Sequence, residues 1–134
     1  MVYILYREVN QMVEENSEKI TINISVVDLG EIDYLVEKGF YGNRTDFLRT
    51  AIKGQLRSHE DWLNKEFMSK TLDVGIVRLC AEDVKGKEYQ DYTVLGKLII
   101  DESVTLDDLK KVFRKIKVLG KVKCSSAIKE FYEL

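Results

Sequence analysis

Residues 19–25 read Lys-Ile-Thr-Ile-Asn-Ile-Ser, and this stretch decides the fold of the first half of the chain. Isoleucine alternates with polar residues at a period of two, which predicts a β-strand with Ile20, Ile22 and Ile24 on one face. The polar residues of the other face are Lys19, Thr21 and Asn23. A single strand of this length is not stable alone in water, so we expect it to pair with a second strand.

Two helix-start signals follow the strand. The first opens at Ser25 and has the pattern of a capping box, and the helix that it begins is expected to end at Gly39 in a left-handed conformation. The second is also a capping box, with Asn43 as the N-cap and Asp46 at the third helical position. Its apolar stripe predicts a helix that runs on to about Met68.

The order of strand, capped helix, glycine turn and capped helix makes residues 19–57 similar to the ribbon-helix-helix family of DNA-binding proteins, of the Arc, MetJ and CopG type. The segments that carry the resemblance are 19–24, Leu35–Tyr41 and Asn43–Ile52. The resemblance implies an intertwined homodimer whose two strands form one antiparallel ribbon that enters the major groove of DNA. We identify no such resemblance for the C-terminal half.

The resemblance also implies which residues contact DNA. The candidates for contacts with base edges are Lys19, Thr21 and Asn23, because asparagine can pair with adenine and lysine can reach guanine. Free backbone N–H groups at the start of the second helix suit a phosphate. The residues there are Asn43, Arg44 and Thr45, and for Arg44 the alternative role is support of the fold.

The second half of the chain contains a repeated phrase. Val94–Leu98 and Val118–Val122 both follow the pattern Val-Leu-Gly-Lys-apolar at an offset of 24 residues, and Val74–Val77 is a weaker third copy. Such a repeat predicts stacked β rungs or paired equivalent strands. Between the two clear copies, apolar spacing up to Ile116 predicts an amphipathic helix whose N-cap is Ser103 or Thr105. A last helix is expected after Ser125 or Ser126.

These patterns predict the fold class α+β and four segments. The ranges are an N-terminal extension over 1–16, predicted to be helical, a ribbon-helix-helix domain over 17–57, a helical extension or linker over 58–69, and a small α+β domain with repeated short strands over 70–134. We expect the last segment to serve oligomerisation or ligand sensing.

Composition excludes several classes of protein. The 134 residues carry a formal net charge of −2, which is not the balance of a basic nucleic-acid binder. One histidine and two cysteines allow neither a histidine-rich metal site nor a disulfide framework. Because no catalytic constellation or phosphate loop can be assembled, we expect no enzyme activity and no cofactor. No apolar run reaches the roughly 20 residues that span a membrane, so a cytoplasmic location is expected.

Charge is unevenly distributed along the chain. Residues 17–57 hold six bases and six acids, whereas Lys110–Lys123 holds seven bases and no acid. On the predicted helix of this region, one basic face would contain Lys110, Lys111, Arg114, Lys115 and Lys117. Such a face is either an ordinary solvated surface or a second contact with the DNA backbone or another anion.

Two functions fit the sequence. The first is a dimeric or higher-order, sequence-specific transcriptional regulator, acting as a repressor, with double-stranded DNA and itself as partners. The alternative is a dimerisation, assembly or antitoxin-like interaction module without strong DNA binding. In both functions, residues 70–134 are a candidate binding region for a protein partner or a small ligand.

Overall fold

The computed structural model of the chain describes residues 16–69 and 71–134. Contacts divide the chain into two compact units, one that ends at Glu60 and one that comprises Asp61–Leu134. The helix predicted for the N-terminal extension lies outside the described residues, apart from Asn16.

Helices α1 (Val26–Glu37) and α2 (Arg44–Ser58) form the regular part of the first unit. The Ser25 hydroxyl accepts a hydrogen bond from the Asp28 N–H at 3.0 Å, and the Asn43 side chain accepts one from the Asp46 N–H at 2.8 Å. Gly39, with φ +84°, follows α1 in the left-handed conformation. Both predicted N-caps and the predicted glycine stop are therefore confirmed.

The second helix differs from its prediction at both ends. The Asp46 carboxylate accepts from the Gly42 N–H at 2.9 Å, so it does not close a reciprocal box with Asn43. The expectation that the helix runs to Met68 is wrong, because α2 ends at Ser58. The His59 N–H bonds to Leu56 O, only three residues back, and this tightened turn interrupts the α-helical pattern. A separate helix, α3 (Glu60–Ser69), begins directly afterwards.

The predicted strand over residues 19–25 carries no regular secondary structure in the single chain. Its apolar side chains are open to solvent, with Ile20 80% and Ile22 62% exposed. A strand needs a hydrogen-bonded neighbour, and the described part of the chain offers none to these residues. The ribbon stays a prediction about two chains.

The second unit is built on a three-stranded parallel sheet in the order β1-β2-β3. Short helices follow each strand. The elements are β1 (Leu72–Leu79), α4 (Ala81–Val84), β2 (Gln90–Ile100), α5 (Leu106–Val112), β3 (Phe113–Lys123) and α6 (Ser126–Tyr132). Thr105 caps α5 and Ser125 caps α6, in agreement with the capping signals.

The repeated phrase forms successive rungs of this sheet. Gly75 lies opposite Gly96, and Gly96 lies opposite Gly120, so all three copies stand in register. The three glycines have φ values of +121°, +131° and +137°, which side chains rarely allow. A Cβ at Gly96 would overlap the Gly75 carbonyl oxygen, and a Cβ at Gly120 would overlap that of Gly96. The interpretation as stacked rungs is confirmed, and glycine is required at two of them.

One face of the sheet forms the core together with α4, α5 and α6. Tyr92 stacks on Phe113 with ring centroids 4.9 Å apart, and the Tyr132 hydroxyl donates to the Phe113 carbonyl at 2.8 Å. The side chains with less than 2% exposure are Val94, Leu98, Leu109, Phe113 and Ile128.

The predicted helix through Ile116 is wrong in its second half. Helix α5 ends at Val112, and residues 113–116 belong to β3. Burial of Phe113 and Ile116 against the sheet favours a strand there. The proposed basic helix face therefore does not exist, because Arg114, Lys115 and Lys117 lie on β3.

The glycine rungs give a matched pair of substitutions. We expect Gly75→Ala to cost about 1–3 kcal/mol, since it adds only the strain of a positive φ. Gly120→Ala adds the same strain and a clash with the Gly96 carbonyl, so it should cost clearly more. Chemical denaturation measures both free energies of unfolding, and equal losses for the two variants would contradict the stacked-rung geometry.

Candidate nucleic-acid interface

The candidate base-reading residues lie on the stretch that precedes α1. Lys19, Thr21 and Asn23 are all exposed. Ser25, with φ −60° and ψ 148°, is extended and caps α1, so it fixes the point where this stretch turns into the helix. The structure thus keeps the three side chains available to a ligand. It does not arrange them on a ribbon, because residues 19–25 carry no regular secondary structure in the single chain.

The candidate phosphate site lies at the start of α2. The Asn43 side chain is the N-cap of α2 and accepts a hydrogen bond from the Asp46 N–H. The backbone N–H groups of Arg44 and Thr45 lie in the first turn, where the helix itself provides no carbonyl acceptor for them. The preceding turn is held by an edge-on contact between Tyr41 and Phe47, with ring centroids 5.0 Å apart. The structure therefore brings the three predicted residues together at one exposed helix end.

Arg44 has a structural partner that the sequence did not indicate. Its Nε donates to Asp33 Oδ1 at 2.7 Å and its Nη2 donates to Asp33 Oδ2 at 2.8 Å, which ties the start of α2 to the middle of α1. These hydrogen bonds hold the pKa of Asp33 below its usual range. Arg44 thus takes the fold-supporting alternative, and its contact with phosphate stays a prediction. No local spacing rule connects residues eleven positions apart on two helices.

The apolar faces of this unit are largely uncovered in one chain. Among the described residues of α1 and α2, only Ile32 is buried. Ile52 and Leu56, on the predicted inner stripe of α2, are 60% and 59% exposed. Helix propensity alone seldom stabilises isolated helices of this length, so the unit needs further packing.

The five cations of the predicted basic patch are dispersed. The Lys110 ammonium lies 4.3 Å from the centroid of the Phe131 ring. Arg114 forms a two-pronged ion pair with Asp91 at 2.6 and 2.8 Å. Lys111 lines a cavity of about 300 Å³ beside α5. Lys115 and Lys117 are exposed on β3.

Metal and thiol chemistry have no assembled site in the described ranges. In residues 16–69 and 71–134, no three histidine, cysteine, aspartate or glutamate side chains cluster so that they could hold a metal ion. Cys80 and Cys124 are free thiols, and burial raises the pKa of Cys124. None of the described helices is both long and apolar enough to cross a membrane.

The Arg44–Asp33 pair can be tested by titration. We expect Arg44→Gln to raise the pKa of Asp33 toward the ordinary value of about 3.9, because both charged hydrogen bonds are removed. Since the folded pKa lies below the unfolded value, the pair stabilises the fold at neutral pH, and this contribution is lost as pH falls through the folded pKa. Carboxyl NMR titration measures the shift.

The matched control for this titration is Arg114→Gln, which breaks the equivalent pair with Asp91 in the other unit. It should leave the pKa of Asp33 unchanged. The geometry would be contradicted if Arg44→Gln and Arg114→Gln gave the same Asp33 pKa.

Comparison with known proteins assigns the chain to a family. A model of the ribbon-helix-helix transcriptional regulator family matches residues 15–129. The match extends well beyond residues 19–57 and includes the parallel sheet, which the sequence analysis did not connect with the family. No curated protein and no solved structure gives a significant match. Because the family model covers most of its length, this chain belongs to the ribbon-helix-helix family of DNA-binding transcriptional regulators.

Proposed function

We propose that the protein is a homodimeric, sequence-specific DNA-binding regulator that acts as a repressor. Residues 19–25 of two copies pair into an antiparallel ribbon, and this ribbon enters the major groove, which is wide enough for two strands. The polar face then meets base edges, while the isoleucine face packs on the helices of the dimer. Such a regulator has no catalytic role.

The observation that carries this proposal is the exposure of the isoleucine face in one chain. Ile20 and Ile22 are 80% and 62% exposed directly before a well-capped helix. Burying one such side chain stabilises by about 1.5–3 kcal/mol, so pairing of two copies removes a large unfavourable surface. Strand pairing in the dimer also provides hydrogen-bond partners for the backbone N–H and C=O groups of residues 19–25.

The ribbon's outward face has the chemistry to read bases. Asn23 can make two hydrogen bonds with adenine, and Thr21 offers a hydroxyl and a methyl group. Lys19 lies at the ribbon end, within reach of guanine. The first-turn N–H groups of Arg44 and Thr45 are suited to a backbone phosphate, which fixes the register of the ribbon without reading sequence.

The second unit is proposed to serve oligomerisation or ligand sensing. Its sheet exposes an edge strand, β1, with Val74 59% and Ile76 55% exposed, as a surface for another protein or another copy. The cavity of about 300 Å³ in the second unit lies between α5 and the loop that joins α4 to β2. Three of the side chains that line it, Lys85, Lys87 and Lys111, would suit an anionic ligand.

Dimerisation through the ribbon predicts a difference between its two faces. We expect Ile22→Asp to convert the dimer into monomer, because it places a charge in the isoleucine layer. Thr21→Asp, one residue away on the other face, should leave the dimer intact. Native mass spectrometry and sedimentation measure the oligomeric state. Dimers that survive Ile22→Asp would show that the chains associate by another surface.

Base reading predicts a loss of sequence discrimination. We expect Thr21→Ala/Asn23→Ala to lower the ratio of affinities for a duplex from the protein's own upstream region and a scrambled duplex. Each lost bidentate contact removes about 1–3 kcal/mol of discrimination. Fluorescence anisotropy gives both affinities, and the control is Asn64→Ala/Ser126→Ala, exposed polar residues on other helices.

The wild-type protein decides between the two candidate functions in the same assay. A stable dimer with no affinity for either duplex at low salt would contradict DNA reading and favour the assembly module. An unchanged affinity ratio in the Thr21→Ala/Asn23→Ala variant would show that the ribbon is not the reader.

A further inference from the structure

The outer face of the parallel sheet concentrates positive charge. Along β3, Ile116, Val118 and Val122 belong to the side that faces the core or its margin, so the residues between them lie on the other side. The basic residues of that outer side are Lys115, Lys117, Lys121 and Lys123. The strand register adds Lys97, beside Lys121, and Arg78 on β1.

Acidic residues scarcely offset this charge. Asp91, in register with Lys115, is the one acid among the strand residues of this face, and its carboxylate is engaged by Arg114 at 2.6 and 2.8 Å. Lys97 and Lys121 are direct cross-strand neighbours, and each of them has an interaction partner within the chain. The cations of this face that are exposed along β3 are therefore Lys115, Lys117 and Lys123.

The β3 edge of this face is exposed, which is unusual for an all-parallel sheet. All-parallel sheets are normally covered on both faces, but here Lys115, Lys117 and Lys123 are exposed and Leu119 is 56% exposed. The same face of a second copy would be repelled by its own charge. A polyanion is the kind of partner that this surface fits.

DNA binding by the first unit alone would be short of positive charge. Residues 17–57 carry no net charge, and the ribbon's outward face brings one cation per chain, Lys19. Affinity for DNA depends strongly on cations that neutralise phosphates. The exposed lysines of β3 span about 26 Å from Lys115 to Lys123, at about 3.3 Å per residue, which is most of one turn of duplex.

We propose that the outer sheet face of the second unit binds DNA phosphates, with Lys115, Lys117 and Lys123 as contacts that add affinity without reading sequence. This inference rests on the proposed function, because the polyanion is the DNA that the ribbon recognises. It assigns to β3 the electrostatic part of binding and leaves base discrimination to the ribbon.

The test is a salt series on two triple variants of the full-length protein. Lys115→Gln/Lys117→Gln/Lys123→Gln removes three cations from the outer face. The matched control, Lys65→Gln/Lys110→Gln/Lys129→Gln, removes three exposed cations that lie on helices of the same unit. Anisotropy on the upstream and scrambled duplexes gives the slope of log Kd against log salt for each protein.

We expect the outer-face triple to lower the magnitude of that slope by about 5.4 per bound dimer, because it removes three contacts from each chain at about 0.9 per phosphate contact. It should weaken binding to both duplexes equally, so that the affinity ratio is kept. The control triple should leave the slope unchanged. If the outer-face triple fails to fold, single variants Lys117→Gln and Lys123→Gln are each expected to lower the magnitude of the slope by about 1.8 per bound dimer.

Two outcomes would overturn the inference. One is an equal slope for the wild type and the outer-face triple while sequence-dependent binding is kept. That result would be consistent with base recognition by the ribbon, but it would assign the outer face to an acidic protein segment instead of DNA. A reduced slope in both triples would show that general charge, not this face, sets the affinity. Absence of any wild-type binding would instead sink the proposed function on which the inference depends.

Discussion

The proposed DNA-binding unit depends on residues 19–25, a sequence with a strand pattern that has no strand neighbour among the described residues. Residues 19–25 alternate isoleucine with polar side chains, yet in a single chain they carry no regular structure and leave Ile20 80% exposed. The helices behind them bury only Ile32 among the described residues. A fold completed by a second copy explains all three observations, and it makes dimerisation and the display of the polar face one event.

A different constraint shapes the second half. Three glycines in left-handed conformation stand in register, and two of them leave no room for a side chain beside the preceding rung. This ladder fixes how the three copies of the repeated phrase stack. The same stacking places one apolar set of β2 and β3, with Val94, Leu98 and Ile116, in the core. The lysines of these two strands lie on the opposite face.

Sequence reasoning succeeded where the signals are local. Ser25, Asn43, Thr105 and Ser125 each cap a helix because a capping side chain acts on a backbone N–H two or three residues away. The repeated phrase could be recognised for the same reason, because nearly identical sequences form the equivalent strands β2 and β3. The strand that the period predicts over residues 19–25 has no regular structure in the single chain, so it stays a prediction about two chains.

Prediction from the sequence failed where packing between residues distant in the chain decides the local structure. Residues 113–116 have the three-residue apolar spacing of a helix, and β3 accommodates it through an irregularity in its register opposite Gln90 and Asp91. The stacking of Phe113 on Tyr92 in the core selects the strand. The end of α2 before His59 is not marked by a glycine or proline in the sequence, so it could not be predicted. The Arg44–Asp33 pair joins two helices across a turn, so spacing along one helix could not reveal it.

Amide hydrogen exchange of residues 20–24, measured as a function of protein concentration, tests the central claim most directly. The account predicts that these amides are protected at concentrations where the protein is a dimer, and that protection fades on dilution together with the dimer. Amides that exchange freely in the dimer would contradict the account, because the chains would then associate without forming the ribbon.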